Sequence, residues 1–261
     1  MTLGSSVPRP EQIDVLTRGI ELPLTALHEE HLSLIADIVA LAWDDLASNQ
    51  AGTLATGSEA EINALLEASL SRLLDEDPLW AQLVLAVARG KETVNFDGAH
   101  LEKRPDLSIF LSGRSPAFPL VVECKLIDAP DGKSGTLYCN NGLRRFLTGE
   151  YGWSGRDGFM LAYVRDQSTI ESCLLPILAV GRTSNPDPFA VRDWPAERSH
   201  VALDLATTRH NRAFRYLNRV APADEPGPIA ICHLWLPTSA GDSSTNASDG
   251  SGPRPDTYAH V

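Results

Sequence analysis

The sequence predicts an α/β fold, and three observations support this prediction. Apolar residues recur at helical spacing in the first part of the chain, short apolar runs typical of strands follow, and both kinds alternate over residues 58–164. In that region the predicted order is helix, strand, strand, strand, helix, strand. Apolar residues make up 43% of the 261 positions, which is ample for a packed core. We therefore expect a β-sheet with helices packed against it.

The first part of the chain is predicted to be helical. Residues 1–23 are polar and contain proline, and they offer one short helix at most. Helical periodicity covers residues 25–47 and, after a flexible break at 52–57, residues 58–74. The next two predicted elements are a helix over residues 79–88, closed by Gly90, and a first strand over residues 92–96.

Residues 104–127 are predicted to form a β-hairpin. The runs RPDLSIFL and LVVECKLI are strongly apolar, and the polar turn SGRSPAFP joins them. Because side chains alternate along a strand, Glu123 and Lys125 share one face, while Cys124 points the other way. The elements predicted after the hairpin are a helix at 139–148, a strand at 158–164, a helix at 170–180, and strands at 201–205 and 229–236.

These patterns divide the chain into three predicted parts. Residues 1–57 form an N-terminal helical lobe, residues 58–237 an α/β domain, and residues 238–261 a tail. The tail is rich in Ser, Gly, Asp and Asn and lacks apolar periodicity, so we predict that it is disordered.

The hairpin carries the residue types of a metal site. An acid and a lysine on one face of an apolar strand are costly to bury unless a charged group meets them. Asp106 and Glu123 offer the hard oxygen ligands that Mg²⁺ prefers, and Lys125 can hold a water or a phosphate oxygen. A surface hairpin with a solvated Glu123–Lys125 pair is the alternative. A surface strand, however, is not expected to be apolar on both faces.

The pattern Pro105-Asp106 … Glu123-Cys124-Lys125 resembles that of the PD-(D/E)xK nuclease superfamily. The resemblance implies a restriction-endonuclease-like αβββαβ core with a mixed central sheet, and a metal-dependent nuclease that cuts DNA to 5′-phosphate and 3′-hydroxyl ends. It also implies that Asp106, Glu123 and the backbone carbonyl of Cys124 bind Mg²⁺, with Mn²⁺ as a substitute. Lys125 would orient or deprotonate the attacking water, with a pKa depressed beside the cation.

Nucleases of this superfamily commonly add an acid from the first core helix, and this helix offers two. With Ile62 at zero on a helical wheel, the apolar face is centred near about +20°, Glu59 falls at about +60° and Glu61 at about −100°. Ser58 and Glu61 also have the spacing of a capping box. We favour Glu59 as the fourth acidic residue, completing the cluster or helping to bind a second ion. Glu61, and a Glu59 that merely complements the helix dipole, are the alternatives.

Two sets of arginines are candidate contacts to nucleic acid. Arg145 lies on the helix after the hairpin, which in the superfamily often supplies a polar residue near the phosphate; a solvent-facing pair with Arg144 is equally consistent with the sequence. Arg212, Arg215 and Arg219 are three or four residues apart and would form one basic stripe if this segment is helical. Such a stripe could neutralise DNA phosphates or pair with the acidic N-terminal lobe.

The charge distribution bears on the partners. The net charge is −12, but residues 1–77 contain 14 of the acidic and 3 of the basic residues, so −11 lies there and −1 in the remainder. The catalytic half is therefore not strongly acidic, although the composition argues against a non-specific DNA-coating protein. The acidic lobe is a candidate contact for a protein partner or for a second copy of the chain.

Several other classes receive no support. No run approaches the ~20 apolar residues of a membrane span, and the N-terminus lacks the pattern of a signal peptide. Cys124, Cys139, Cys173 and Cys232 lack CxxC spacing, so we expect a cytoplasmic protein with reduced thiols. P-loop and GxGxxG motifs are absent from the sequence. His233 lies in an apolar run and is predicted to be a hydrogen-bonded core residue.

The combined prediction is a metal-dependent nuclease that hydrolyses phosphodiester bonds in DNA. Two alternatives belong to other classes. One is a nuclease fold retained as a non-catalytic binding or interaction module, and the other is an unrelated α/β protein with a fortuitous motif.

Overall fold

The computed structural model describes residues 9–99, 104–194, 203–217 and 219–238. Of residues 238–261, which are predicted to be disordered, 239–261 fall outside this range. For Thr238 the prediction is wrong, since this residue is buried and its backbone N–H donates a hydrogen bond of 2.9 Å to the carbonyl of Val164. The α-helices of the described residues are α1 (Pro10–Thr17), α2 (Glu29–Asn49), α3 (Ala51–Thr56), α4 (Glu59–Glu76), α5 (Pro78–Leu83), α6 (Gly135–Tyr138), α7 (Arg144–Leu147) and α8 (Leu175–Arg182). Two π-helical turns, Cys139–Leu143 and Ile170–Leu174, lead directly into α7 and α8.

The centre of the molecule is one mixed, open sheet of six strands. The strands are β1 (Val84–Arg89), β2 (Leu107–Leu111), β3 (Leu120–Ile127), β4 (Asp157–Val164), β5 (Asp204–His210) and β6 (Ile229–Pro237). Their order across the sheet is β1-β2-β3-β4-β6-β5. β3, β4 and β6 are parallel to one another, whereas β1, β2 and β5 are each antiparallel to their neighbours. The predicted α/β class is therefore confirmed, and α4, β1, β2, β3, α6–α7 and β4 follow in the predicted order.

The helix predicted over residues 79–88 is wrong in its second half. Asp77 starts α5, because its carboxylate accepts hydrogen bonds from the N–H groups of Leu79 and Trp80 at 2.9 and 2.8 Å. The helix ends at Leu83, and residues 84–89 pair with β2 instead. The predicted strand over residues 92–96 is consequently wrong as well, since the first strand is complete before it. The local periodicity of residues 84–88 favours a helix, but their pairing with β2, about twenty positions further along the chain, makes them a strand.

The flexible break predicted at residues 52–57 is also wrong. Residues 51–56 form helix α3, whose Leu54 is completely buried in the same core as α2 and α4. The chain leaves this helix at Gly57, where an added Cβ would lie 2.6 Å from the carbonyl oxygen of Thr53. A small residue therefore ends the helix there, and α4 can begin close beside it.

Helices cover both faces of the sheet. The buried apolar residues of α2, α3 and α4 form one core with side chains such as Val122 and Cys124 of β3. In this core Trp43 of α2 stacks on Tyr163 of β4, with ring centroids 5.1 Å apart. The segments from α6 to α8 pack on the opposite face. The division at residues 57 and 58 stays a prediction, and this core contains side chains from both parts.

Element boundaries elsewhere differ by a few residues. The predicted strand at 201–205 is β5, whose described part begins at Asp204 and continues to His210. None of the helices among the described residues is both long and apolar enough to cross a membrane.

Candidate active site

The predicted hairpin brings the charged residues of the motif together. Antiparallel pairing joins Leu107 to Val122, so Asp106, just before β2, comes next to Glu123 of β3. The ammonium of Lys125 lies 2.9 Å from a carboxylate oxygen of Glu123 and 3.6 Å from one of Asp106. It also lies 3.1 Å from Glu59. One ammonium thus contacts all three carboxylates that the sequence singled out.

Glu59 reaches this cluster from the first turn of α4. Its Oε1 accepts a hydrogen bond from Lys125, and its Oε2 accepts one from the backbone N–H of Leu126 at 3.0 Å. Glu61 instead caps the helix, accepting hydrogen bonds from the backbone N–H and the hydroxyl of Ser58 at 2.8 and 2.7 Å. The capping box is present, with α4 starting at the expected residue. The helical wheel therefore gave the orientation of both acids.

Asp106 is held by groups that the sequence did not single out. One carboxylate oxygen accepts a hydrogen bond from the backbone N–H of Cys124 at 2.8 Å, and the other from the amide of Asn63 at 3.0 Å. The amide oxygen of Asn63 in turn accepts a hydrogen bond from the hydroxyl of Tyr163 at 2.7 Å. The available signal was Asn63 itself, a polar residue one turn after Glu59 on the buried face of α4. Such a relay fixes the orientation of a carboxylate.

Glu123 is the most unusual group of the cluster. It is 1% exposed, and neither of its carboxylate oxygens accepts a well-directed hydrogen bond from a described residue. The Lys125 ammonium lies 2.9 Å from Oε1, within ion-pair distance, but it is poorly aligned for a hydrogen bond. Burial and the neighbouring charge of Asp106 raise the pKa of Glu123 to about 8, against the opposing effects of Lys125 and Arg145. In the metal-free protein this carboxyl therefore keeps a proton at neutral pH, and a cation that binds it would take the place of that proton.

Lys125, unlike Glu123, is held in its charged form by its surroundings. Burial lowers its pKa, but the carboxylates of Glu123, Asp106 and Glu59 outweigh that effect, so its pKa is raised. The side chain is therefore an ammonium in the metal-free protein. It also donates a hydrogen bond of 2.6 Å to the backbone carbonyl of Cys124, which the resemblance implies as a metal ligand.

Arg145 faces the cluster, a direction that the sequence left open. Its guanidinium lies 3.3 Å from Glu123 and 3.5 Å from Glu150, and it donates a hydrogen bond of 2.8 Å to the hydroxyl of Tyr151. The π-helical turn before α7 passes close to β3, and a Cβ on Gly142 would lie 3.5 Å from Glu123 and 2.4 Å from Met160. A glycine at this point allows the close approach that directs Arg145 inward.

The predicted basic stripe of Arg212, Arg215 and Arg219 is wrong. Residues 211–216 are not helical, so the three side chains do not share a helix face. Arg212 donates to the backbone carbonyls of residues 155, 226 and 227, Arg215 pairs with Asp224 at 2.9 Å, and Arg219 donates to the carbonyls of residues 20 and 22. Each of the three guanidinium groups thus has partners within the fold. The chain is not helical after β5, so residues three or four positions apart do not lie on one face there.

The histidine prediction is confirmed. His233 is completely buried, with its ring between the hydroxyls of Tyr138 and Thr208 at 2.8 and 2.7 Å. The Thr208 hydroxyl also contacts His210 at 2.6 Å. Burial lowers the pKa of both imidazoles, that of His210 to about 4. The pair is neutral and belongs to a buried polar network of the core.

The donor set of the cluster fits a hard divalent cation, although the described residues contain no group of three or more His, Cys, Asp or Glu already arranged around a metal position. Carboxylate and carbonyl oxygens are the ligands that Mg²⁺ prefers. The oxygens of Glu123, which have no hydrogen-bond partner among the described residues, add a specific reason for a cation at this point. Comparisons with family models, with curated proteins and with solved structures gave no match to the chain. The function is therefore inferred from the residues and the geometry of the site.

Proposed function

We propose that the protein is a metal-dependent nuclease of the PD-(D/E)xK type that hydrolyses phosphodiester bonds in DNA. The observation that carries this proposal is the buried Glu123, beside Asp106 and Lys125, whose carboxyl oxygens accept no well-directed hydrogen bond from the described residues. The order of α4, β1, β2, β3, α6–α7 and β4, together with the mixed sheet, supports the similarity to the αβββαβ core of that superfamily.

Four groups of the chain would hold Mg²⁺, or Mn²⁺ in its place: the carboxylates of Asp106, Glu123 and Glu59 and the backbone carbonyl of Cys124. When bound, the cation supplies Lewis-acid stabilisation of negative charge on the phosphate and a more acidic water. The hydrogen bonds from Asn63 and from the backbone N–H of Cys124 orient Asp106 for this role.

Lys125 and Arg145 are the cationic groups of the proposed reaction. As an ammonium, Lys125 can donate hydrogen bonds to the attacking water or to a phosphate oxygen. Deprotonating that water would require a lower pKa, which follows only when the surrounding carboxylates are neutralised. Arg145 is held by Tyr151 and can neutralise charge that develops on the phosphate.

The test is cleavage of plasmid, linear and branched DNA, with RNA as a further substrate, in the presence and absence of Mg²⁺ or Mn²⁺. Asp106→Ala, Glu123→Ala and Lys125→Ala should each reduce the rate by at least ~100-fold, the scale of an electrostatic contribution to the transition state. Asp131→Ala is the matched control, because this exposed acid lies outside the cluster. Cleavage at the wild-type rate by the Glu123 or Lys125 variant would refute the assignment.

One observation favours a second candidate, a nuclease fold that acts as a binding or interaction module. The Lys125 ammonium already contacts all three carboxylates, as it would in a permanent internal ion-pair cluster. Titration calorimetry with Mg²⁺ separates the candidates. A nuclease binds the ion and cuts DNA, a module with an intact relic of the site binds it without cutting, and a purely structural cluster does neither.

A further inference from the structure

A pocket of about 210 Å³ adjoins the catalytic cluster along β3. Val121 forms part of its wall and lies two residues before Glu123 on the same face of the strand, a separation of about 7 Å. Glu150 forms another part and lies 3.5 Å from Arg145, which itself contacts Glu123 at 3.3 Å. The pocket and the proposed reaction centre therefore share a wall.

Two aromatic side chains line the pocket and are rigidly held. Phe118 and Trp153 pack edge to face, with ring centroids 5.5 Å apart, and each is 5% exposed. The indole N–H of Trp153 donates a hydrogen bond of 2.6 Å to the carbonyl of Val94, another lining residue. Pre-organised aromatic walls of this kind bind flat heteroaromatic rings, including nucleobases.

Polar groups at the pocket complement the edge of a base. Ser154 is 7% exposed and lines the pocket, and within the described part of the chain its hydroxyl has no hydrogen-bond partner. Lys91 also lines the pocket and is exposed, with its ammonium 3.3 Å from the carbonyl of Pro116 and 4.3 Å from the ring centroid of Phe110. Glu92 and Glu150 line the pocket as well. The Ser154 hydroxyl and the Lys91 ammonium can both form hydrogen bonds to the edge of a ring, whereas the two carboxylates keep the phosphate outside the pocket.

We propose that this pocket binds one unpaired nucleobase of the strand whose phosphate lies at the Glu123 cluster. The inference rests on the proposed nuclease function and specifies its substrate as single-stranded nucleic acid, or a duplex with an unpaired nucleotide beside the cleaved bond. The volume favours a single ring system, because it is below the ~300–1,000 Å³ of pockets for drug-sized ligands. A base inside a duplex would have to leave its stack to enter.

The test uses a fluorescently labelled single-stranded DNA and a set of the same strand in which one abasic nucleotide is moved position by position. Binding is measured by fluorescence anisotropy in Ca²⁺, with strand integrity checked on a gel. Loss of the base at one position should weaken binding to the wild-type protein by about 5- to 150-fold, the range for one stacked base. Abasic nucleotides at the other positions should have smaller effects.

Ala117→Trp is the decisive variant, because this exposed residue lines the pocket and a large side chain there fills it. The variant should bind the intact strand as weakly as wild type binds the critical abasic strand, and it should not distinguish the two. Gly113→Trp is the control, since this exposed residue belongs to the same connection between β2 and β3, an added Cβ there would meet nothing within 4 Å, and it does not line the pocket. Ser154→Ala, which removes only the hydroxyl, should reduce discrimination among bases at the critical position. This second variant tests the pocket if Ala117→Trp does not fold.

The outcomes separate this inference from the nuclease proposal. If wild type cleaves DNA but Ala117→Trp binds the intact strand as tightly as wild type, the pocket assignment is wrong and the nuclease stands. If abasic substitution has no effect at any position, the pocket assignment is equally wrong. If the abasic effect and its loss in Ala117→Trp are found without any cleavage, the pocket assignment holds and the catalytic proposal fails.

Discussion

Replacing Glu123 by glutamine should change how the stability of the metal-free protein depends on pH. The folded protein keeps a proton on this buried carboxyl up to a pKa of about 8, whereas the ordinary value is 4.5. Between these values the folded state therefore binds a proton that the unfolded chain has lost. The free energy of unfolding must fall as the pH rises through this window. Glutamine is neutral at every pH and removes this contribution.

The magnitude follows from the two pKa values. At 1.36 kcal/mol per unit, a change from 4.5 to about 8 corresponds to at most about 5 kcal/mol. We expect about 2–5 kcal/mol, because movement of side chains and entry of water relieve part of the cost of burying the charge. Near pH 5 the two proteins should be similar in stability, and near pH 8.5 the variant should be the more stable. Lys125 stays protonated throughout, so it adds no slope.

The assay is urea denaturation of wild type and Glu123→Gln from pH 5 to 8.5 in EDTA. Groups common to both proteins cancel in the difference between the two curves. Adding Mg²⁺ at pH 8 should stabilise wild type and leave the variant nearly unchanged, because a ligand of the cation is lost. Parallel stability curves for the two proteins in EDTA would refute the reasoning about the buried carboxyl.

Three further predictions concern the surroundings of the cluster. Glu59→Gln should impair metal binding or cleavage, whereas Glu61→Gln should leave both unchanged since glutamine also serves a capping box; the reverse result would show that the second acid is the functional one. Asn63→Ala should weaken Mg²⁺ binding by about 10- to 100-fold in calorimetry, because it orients a carboxylate of the site, and unchanged affinity would contradict this role. Arg212→Gln should lower the free energy of unfolding by about 2–5 kcal/mol, because several carbonyls lose their hydrogen-bond donor. Arg215→Gln, at an exposed ion pair, should have little effect on stability. Neither change should alter the salt dependence of DNA binding.

The sequence by itself determined the features that depend on neighbours within one helical turn or one strand. Alternation along β3 placed Glu123 and Lys125 on one face and Cys124 on the other, and the structure has the same arrangement. The sequence also distinguished the roles of Glu59 and Glu61. The capping box fixes where the helix starts, and that start fixes the direction of both side chains. Repeating local geometry makes such relations readable from spacing alone.

Only the tertiary structure decided the relations between distant segments. Residues 84–89 are a strand because β2 pairs with them, and Asn63 orients Asp106 because α4 packs across the hairpin. Arg212 turns inward because carbonyls from two other loops surround it, where spacing alone suggested a stripe. Strand pairing and side-chain contacts of this kind depend on residues far apart in the chain, so a local pattern that fits a helix is overruled when a distant partner is available.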